Sequence, residues 1–121
     1  MIQLKSKREL EKMREAGRHV GEILQRLGEL AKPGVTTAEL DRVAHAEIRA
    51  RKLESSFLGY APGDNPPFPA VICASVNEEI VHGIPGGRRL VEGDLLKIDF
   101  GAICDGFHAD AAITVPIGEV D

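Results

Sequence analysis

Residues 97–114 read KIDFGAICDGFHADAAIT, two alternating runs that meet at Asp105-Gly106. Asp-Gly suits a two-residue type I′ turn, because both central positions of that turn need positive φ. A hairpin closed there sets Cys104 opposite Phe107 and Gly101 opposite Asp110. Side chains alternate along a strand, so the register sorts them by face. Ile98, Phe100, Ala102, Cys104, Phe107, Ala109, Ala111 and Ile113 share one face, all apolar. Lys97, Asp99, Gly101, Ile103, His108, Asp110, Ala112 and Thr114 share the other. A slip of one residue would destroy that separation, so the pattern fixes the pairing.

Asp99 and Asp110 emerge as diagonal cross-strand neighbours, roughly 7–8 Å apart at Cα. Gly101 leaves room beside Asp110. Two readings of the pair stand together: the wet face of a two-layer sheet, or two carboxylates converging over a glycine to clamp one hard cation or a pair of them. Aspartate is a poor strand former, and like charges this close repel unless something positive lies between them. Lys97 on the same face is one candidate for that group; a metal ion is the other.

Upstream, Ser6-Lys-Arg-Glu9 forms a capping box, with Leu10, Met13, Gly17, Val20, Leu24 and Leu27 following at helical spacing. Lys32-Pro33-Gly34 stops this helix. Thr36-Thr-Ala-Glu39 opens a second, with Leu40, Val43, Ala44 and Ile48 inward. Both stripes read as core. From Ser55 to Ala70, SSFLGYAPGDNPPFPA holds four of the seven prolines, a density that predicts a long loop. Strand-like patterning follows over Val71–Val76, Glu79–His82, Leu95–Ile103 and Phe107–Val115. Helices first and antiparallel strands after make an α+β class.

VICASVNEEIVHGIPGG, residues 71–87, carries a second constellation. A tight turn at Asn77-Glu78, with positive φ at Asn77, would set Cys73 opposite His82. His82 then ends a strand and enters a glycine-proline loop of little bulk, where it is either open to a ligand or an ordinary hydrogen-bonded residue. His19 and His108 read as surface histidines, and His45 has no evident partner.

The chain has 121 residues, enough for one domain with a core, and a net charge of −4 from 15 basic and 19 acidic residues. No basic block suggests a nucleic-acid surface. Cys73 and Cys104 match no disulfide or zinc framework, and no segment reads as a signal, a transit peptide or a membrane span. These features predict a soluble cytoplasmic protein.

Taken together, these motifs resemble the methionine aminopeptidases of the bacterial type, in the pita-bread family of dinuclear metallopeptidases. SVNEEIVHGIPG resembles that family's histidine motif. DFGAICDGFHADAAITVPIG resembles its first metal motif, with two aspartates eleven residues apart, and KPGVTTAEL its link between the first two helices. The resemblance implies that Asp99 chelates one metal and that Asp110 bridges two. It makes His82 a catalytic, substrate-contacting residue that hydrogen-bonds the scissile amide and the developing transition state. Phe57, Tyr60, Phe68 and Cys73 would line the pocket for the methionine side chain. Phe57 stands where relatives often have a cysteine, and APGDNPP lengthens the loop. The implied reaction is hydrolysis of an N-terminal methionyl bond, assisted by two divalent ions drawn from cobalt, manganese, iron or zinc.

The implied substrate is a peptide or nascent chain that begins with methionine, with the ribosome as a further partner. The family takes one histidine and two glutamate ligands from a second half, so residues 1–121 are expected to form the N-terminal half of a catalytic domain, inactive alone. A hydrophobic hairpin face ending in Ile113 and an unpaired strand edge would then promote self-association or capture of the missing half. The alternative is a non-catalytic peptide-binding or assembly module on the same fold.

Overall fold

The structure is a computed structural model, and it describes residues 6–58, 69–77 and 84–118. Two helices, α1 (Lys7–Leu30) and α2 (Thr37–Ala50), precede four strands: β1 (Glu54–Ser55), β2 (Ile72–Val76), β3 (Leu95–Cys104) and β4 (Phe107–Pro116). Both helices begin with the capping boxes expected of them. Ser6 Oγ accepts from Glu9 N at 3.1 Å, and Thr36 Oγ1 accepts from Glu39 N at 3.1 Å. Past the last residue of α2 and its cap Arg51, Lys52 has a φ of 58° that lets Leu53 N reach back to the Ile48 carbonyl at 2.9 Å.

The sheet is antiparallel and centred on β3. Along one side β3 pairs with β4 from Leu95↔Pro116 to Cys104↔Phe107, which is the register set by the Asp105-Gly106 turn. The turn residues have φ of 49° and 83°. Along the other side β2 covers Leu96 to Phe100, and β1 covers Ala102 and Ile103. β1 runs into the start of the Ser55–Ala70 segment, whose proline-rich composition predicts loop. Two residues carry no periodicity of their own, and it is pairing with β3 that makes them a strand.

α1 packs across β3 and β4. The apolar hairpin face turns into it: Ile98, Phe100, Ala102 and Cys104 are buried with Val20, Ile23, Leu24 and Leu27, and Phe107, Ala109 and Ile113 pack against them half-buried. The face ending in Ile113 is therefore covered by α1 rather than open. Ala111, at the same alternation, remains exposed. Gly28 permits the close approach, since a Cβ there would lie 3.3 Å from Ile113 Cδ1. The edge of β4 away from β3 has no partner strand among the described residues.

The inward stripe of α1 starts later than its spacing predicts. Ala16 is the first buried residue, while Leu10 and Met13 are 42% and 38% exposed and Gly17 is also outward. Lys12 Nζ meets Asp105 Oδ2 in the hairpin turn at 2.7 Å, which marks where the sheet ends. The first turns of α1 run past that end, and Leu10 and Met13 are left exposed among the described residues.

Candidate metal-binding face

On the side of the sheet away from α1, two cross-strand rows meet at β3. In one, Asp99 lies between Cys73 on β2 and Ala112 on β4. In the other, Gly101 lies between Asp110 on β4 and Ser56, whose N–H donates to the Gly101 carbonyl at 3.2 Å just beyond β1. Residues directly opposite in an antiparallel pair project to the same side. Asp99, Asp110, Cys73 and Ser56 therefore share one face. A Cβ placed on Gly101 would sit 3.1 Å from Ser56 Cβ and Oγ and 3.3 Å from Asp110 Cβ. A side chain at this position would press on both neighbours, and the glycine leaves the space between serine and aspartate free of side chain.

The hypothesis that Lys97 neutralises the aspartates meets no support. Among the described residues, no lysine, arginine or histidine forms an ion pair with Asp99 or Asp110. Asp99 is half-buried and Asp110 exposed. Cys73 is buried, and its thiol is pushed up to about 11 by that burial and then by the Asp99 charge. It stays protonated at neutral pH and offers a small apolar wall rather than a nucleophile. Two carboxylates with no counter-charge among the described residues, beside a cleared space, form an all-oxygen donor pair suited to a hard or borderline divalent ion. The residues present fit such an ion.

Further contacts hold the segments that flank this face. Asp41 Oδ1 accepts from Val71 N at 2.9 Å and Ile72 N at 3.2 Å, fixing the start of β2; its other oxygen lies 3.5 Å from His45 Nε2. His45 thus has a partner that sequence alone does not reveal. Asn77, with φ 56°, exchanges hydrogen bonds with Leu95 and donates from Nδ2 to the buried Asp94 at 3.0 Å. Beyond residue 83, Thr37 Oγ1 bonds both the N–H and the carbonyl of Gly86, at 2.9 and 3.2 Å.

A second group of ligand-type side chains, Glu15, His19 and Cys104, gathers within 4.8 Å on the α1 side. His19 is more enclosed than a surface histidine. Arg51 Nη1 lies 2.9 Å from its Nδ1 and 2.6 Å from Glu22 Oε1, so a guanidinium already supplies the positive charge. The Cys104 thiol is pushed up, first by burial and then by the Glu15 and Asp105 charges. This group reads as an ion-pair network. A hollow of about 360 Å³ lined by Arg8, Glu9, Lys12, Asp105 and Phe107 sits at the hairpin tip beside α1, away from the Asp99–Asp110 face.

Residues 11–121 match the sequence model of metallopeptidase family M24. The chain belongs to that family. It is 50% identical over 121 residues to a methionine aminopeptidase of Clostridium acetobutylicum, covering 99% of this chain and 46% of the relative. The crystal structure of methionine aminopeptidase from Rickettsia prowazekii superposes with a TM-score of 0.89 at 34% identity, over 100% of this chain and 47% of that one. A Xaa-Pro dipeptidase from Bacillus anthracis shares the fold alone, at 19% identity and a TM-score of 0.73 over 98% of this chain and 30% of that one. This M24 chain spans about half the length of the methionine aminopeptidases it matches.

Of the site residues expected in this M24 chain, the fold brings Asp99, Asp110 and Cys73 to one face, and half-buried Phe57 directly follows Ser56. His82, Tyr60 and Phe68 lie outside the described residues, as does the turn beyond Asn77 that would set Cys73 opposite His82. Ser56 is the member that sequence reasoning missed. Nothing in SSF marks it; only the pairing of β1 with β3 places it over Gly101.

Proposed function

We propose that this chain supplies part of the active site of a metal-dependent aminopeptidase that removes N-terminal methionine from peptides and nascent chains. The observation that carries the reading is the pair Asp99 and Asp110 on one sheet face, unneutralised by any described cation and cleared by Gly101. The identity to methionine aminopeptidases over nearly the whole chain supports methionine as the residue released. In this reading residues 1–121 are the N-terminal half of the catalytic unit, and the setting is cytoplasmic.

Asp99 and Asp110 hold the metal, two divalent ions in the complete site. Two carboxylates offer at most four oxygens, while two such ions need roughly four to six donors each. The remaining ligands come from outside these residues, and the chain alone is inactive. The bound ions supply Lewis acidity toward the scissile carbonyl and lower the pKa of an attacking water. Cys73, with Phe57, Tyr60 and Phe68, encloses the methionine side chain. The imidazole of His82 donates to or accepts from the scissile amide and stabilises the charge that develops there.

The test uses the protein in its complete reading frame. His82→Ala should leave metal content unchanged and lower kcat and kcat/KM together, by roughly 10²–10³-fold, the usual loss for one such donor. Loss of metal, or unchanged turnover, contradicts the role given to His82. Metal uptake without any release of methionine from wild-type protein would favour the binding-module alternative. Methionine release by residues 1–121 alone would overturn the claim that ligands are missing.

A further inference from the structure

Ser56 Oγ is the one buried side-chain oxygen or nitrogen left without a hydrogen-bond partner among the described residues. Such groups are rare, because a hydroxyl withdrawn from water with no partner is costly. Other hydroxyls of the fold do find partners. Ser55 Oγ accepts from Phe57 N and Leu58 N at 3.2 and 3.1 Å, and Thr37 Oγ1 makes two bonds to Gly86. An apolar residue at this position would lose no hydrogen bond among the described residues. It instead places a hydroxyl against the cleared space over Gly101, across which lies Asp110.

The geometry points to Ser56 as a positioning residue for the metal-binding carboxylates: its hydroxyl donates to the Asp110 carboxylate when that group is turned inward to hold a divalent cation. A serine hydroxyl has one proton to give, and a carboxylate is its strongest acceptor on this face. Ligating carboxylates commonly need an outer hydrogen bond to fix the oxygen that faces the metal, and its loss typically weakens metal binding by about 10–100-fold. The bare Cα of Gly101 is what makes the reach possible. A side chain at that position would fill the space through which serine meets aspartate. The inference rests on the metal reading of Asp99 and Asp110.

The experiment is a manganese titration by calorimetry on the complete protein, with thermal melting of the metal-free form, for wild type, Ser56→Ala, Ser56→Thr and Asp99→Asn. Ser56→Ala should bind manganese about 10–100-fold more weakly. Its metal-free form should melt at the same temperature as wild type or higher, because an orphaned hydroxyl has been removed. Ser56→Thr, which keeps the hydroxyl, should recover most of the affinity. A hydroxyl with an ordinary structural role would do the reverse, lowering the metal-free melting temperature and leaving manganese affinity alone; either of those results overturns the assignment. If wild type takes up no manganese, or Asp99→Asn takes it up equally well, the metal reading itself falls and Ser56 falls with it. Binding that is lost in Asp99→Asn but unchanged in Ser56→Ala refutes the Ser56 role alone.

Discussion

The two faces of the β3–β4 hairpin are made from the same twenty residues and obey different rules. Toward α1, Ile98 and Phe100 are fully buried, and their neighbours are the aliphatic side chains of a helix. One residue along in each case, Asp99 and Gly101 face away from α1, where a carboxylate lacks a described counter-ion and a glycine is kept clear by what lies above it. The first face is explained by burial: its residues lower the free energy of the fold they belong to. The second does nothing evident for stability and places two like charges together. Its composition makes sense as a site whose missing interaction comes from a ligand.

That contrast can be broken by substituting adjacent residues. Phe100→Ala should destabilise the fold by about 3–5 kcal/mol, the usual cost of truncating a buried aromatic, seen as a large drop in the urea midpoint. Asp99→Asn, one residue away, should change metal-free stability by no more than about 0.5 kcal/mol or raise it by relieving repulsion. Comparable losses from both would mean that Asp99 is structural. Gly106→Val tests the turn that sets the register. With φ at 83°, a β-carbon there should cost about 1–2 kcal/mol, measured on the same denaturation curve.

Smaller effects separate the acids that serve the fold from the pair that does not. The Asp94 carboxyl is held below its usual value of 3.8, first by the Val91 N–H and then by the Asn77 amide. Folding thus favours its charged form. The stability it contributes is present above pH 3.8 and is lost as pH falls through the lowered value. The Asp105 carboxyl, lowered by the Lys12 hydrogen bond and charge, acts in the same direction. Asp94→Asn should flatten the acid limb of a stability-versus-pH profile, and an unaltered limb would contradict the clasp. Thr36→Ala, which removes only the cap of α2, should cost about 1 kcal/mol, read as a small shift in melting temperature.

Local codes made part of this architecture legible in sequence. Asp-Gly defines a turn by its backbone needs alone, and from it follow the register of β3 and β4 and the shared face of Asp99 and Asp110. Ser6 and Thr36 announce helix starts because each capping box closes within four residues. Where an outcome depends on distant partners, local pattern misleads. Leu10 and Met13 continue the apolar spacing of α1 beyond the end of the sheet that would have buried them. Glu54 and Ser55 become a strand only because Ile103 and Ala102 lie beside them. Ser56 follows from that pairing, so its place over Gly101 is invisible in the string of letters. The helix-facing side was readable almost residue by residue, whereas the other face was readable for Asp99, Gly101 and Asp110 but not for Ser56.

Manganese binding to the complete protein, compared between Asp99→Asn and Asp105→Asn, tests the central claim most directly. Both variants remove one negative charge from the same hairpin, but Asp105 is engaged by Lys12 on the α1 side while Asp99 looks onto the proposed site. Electron paramagnetic resonance of free manganese gives the bound fraction without any need for turnover. The account predicts that binding is abolished in Asp99→Asn and retained in Asp105→Asn. Equal retention in both, or loss in Asp105→Asn alone, would contradict it.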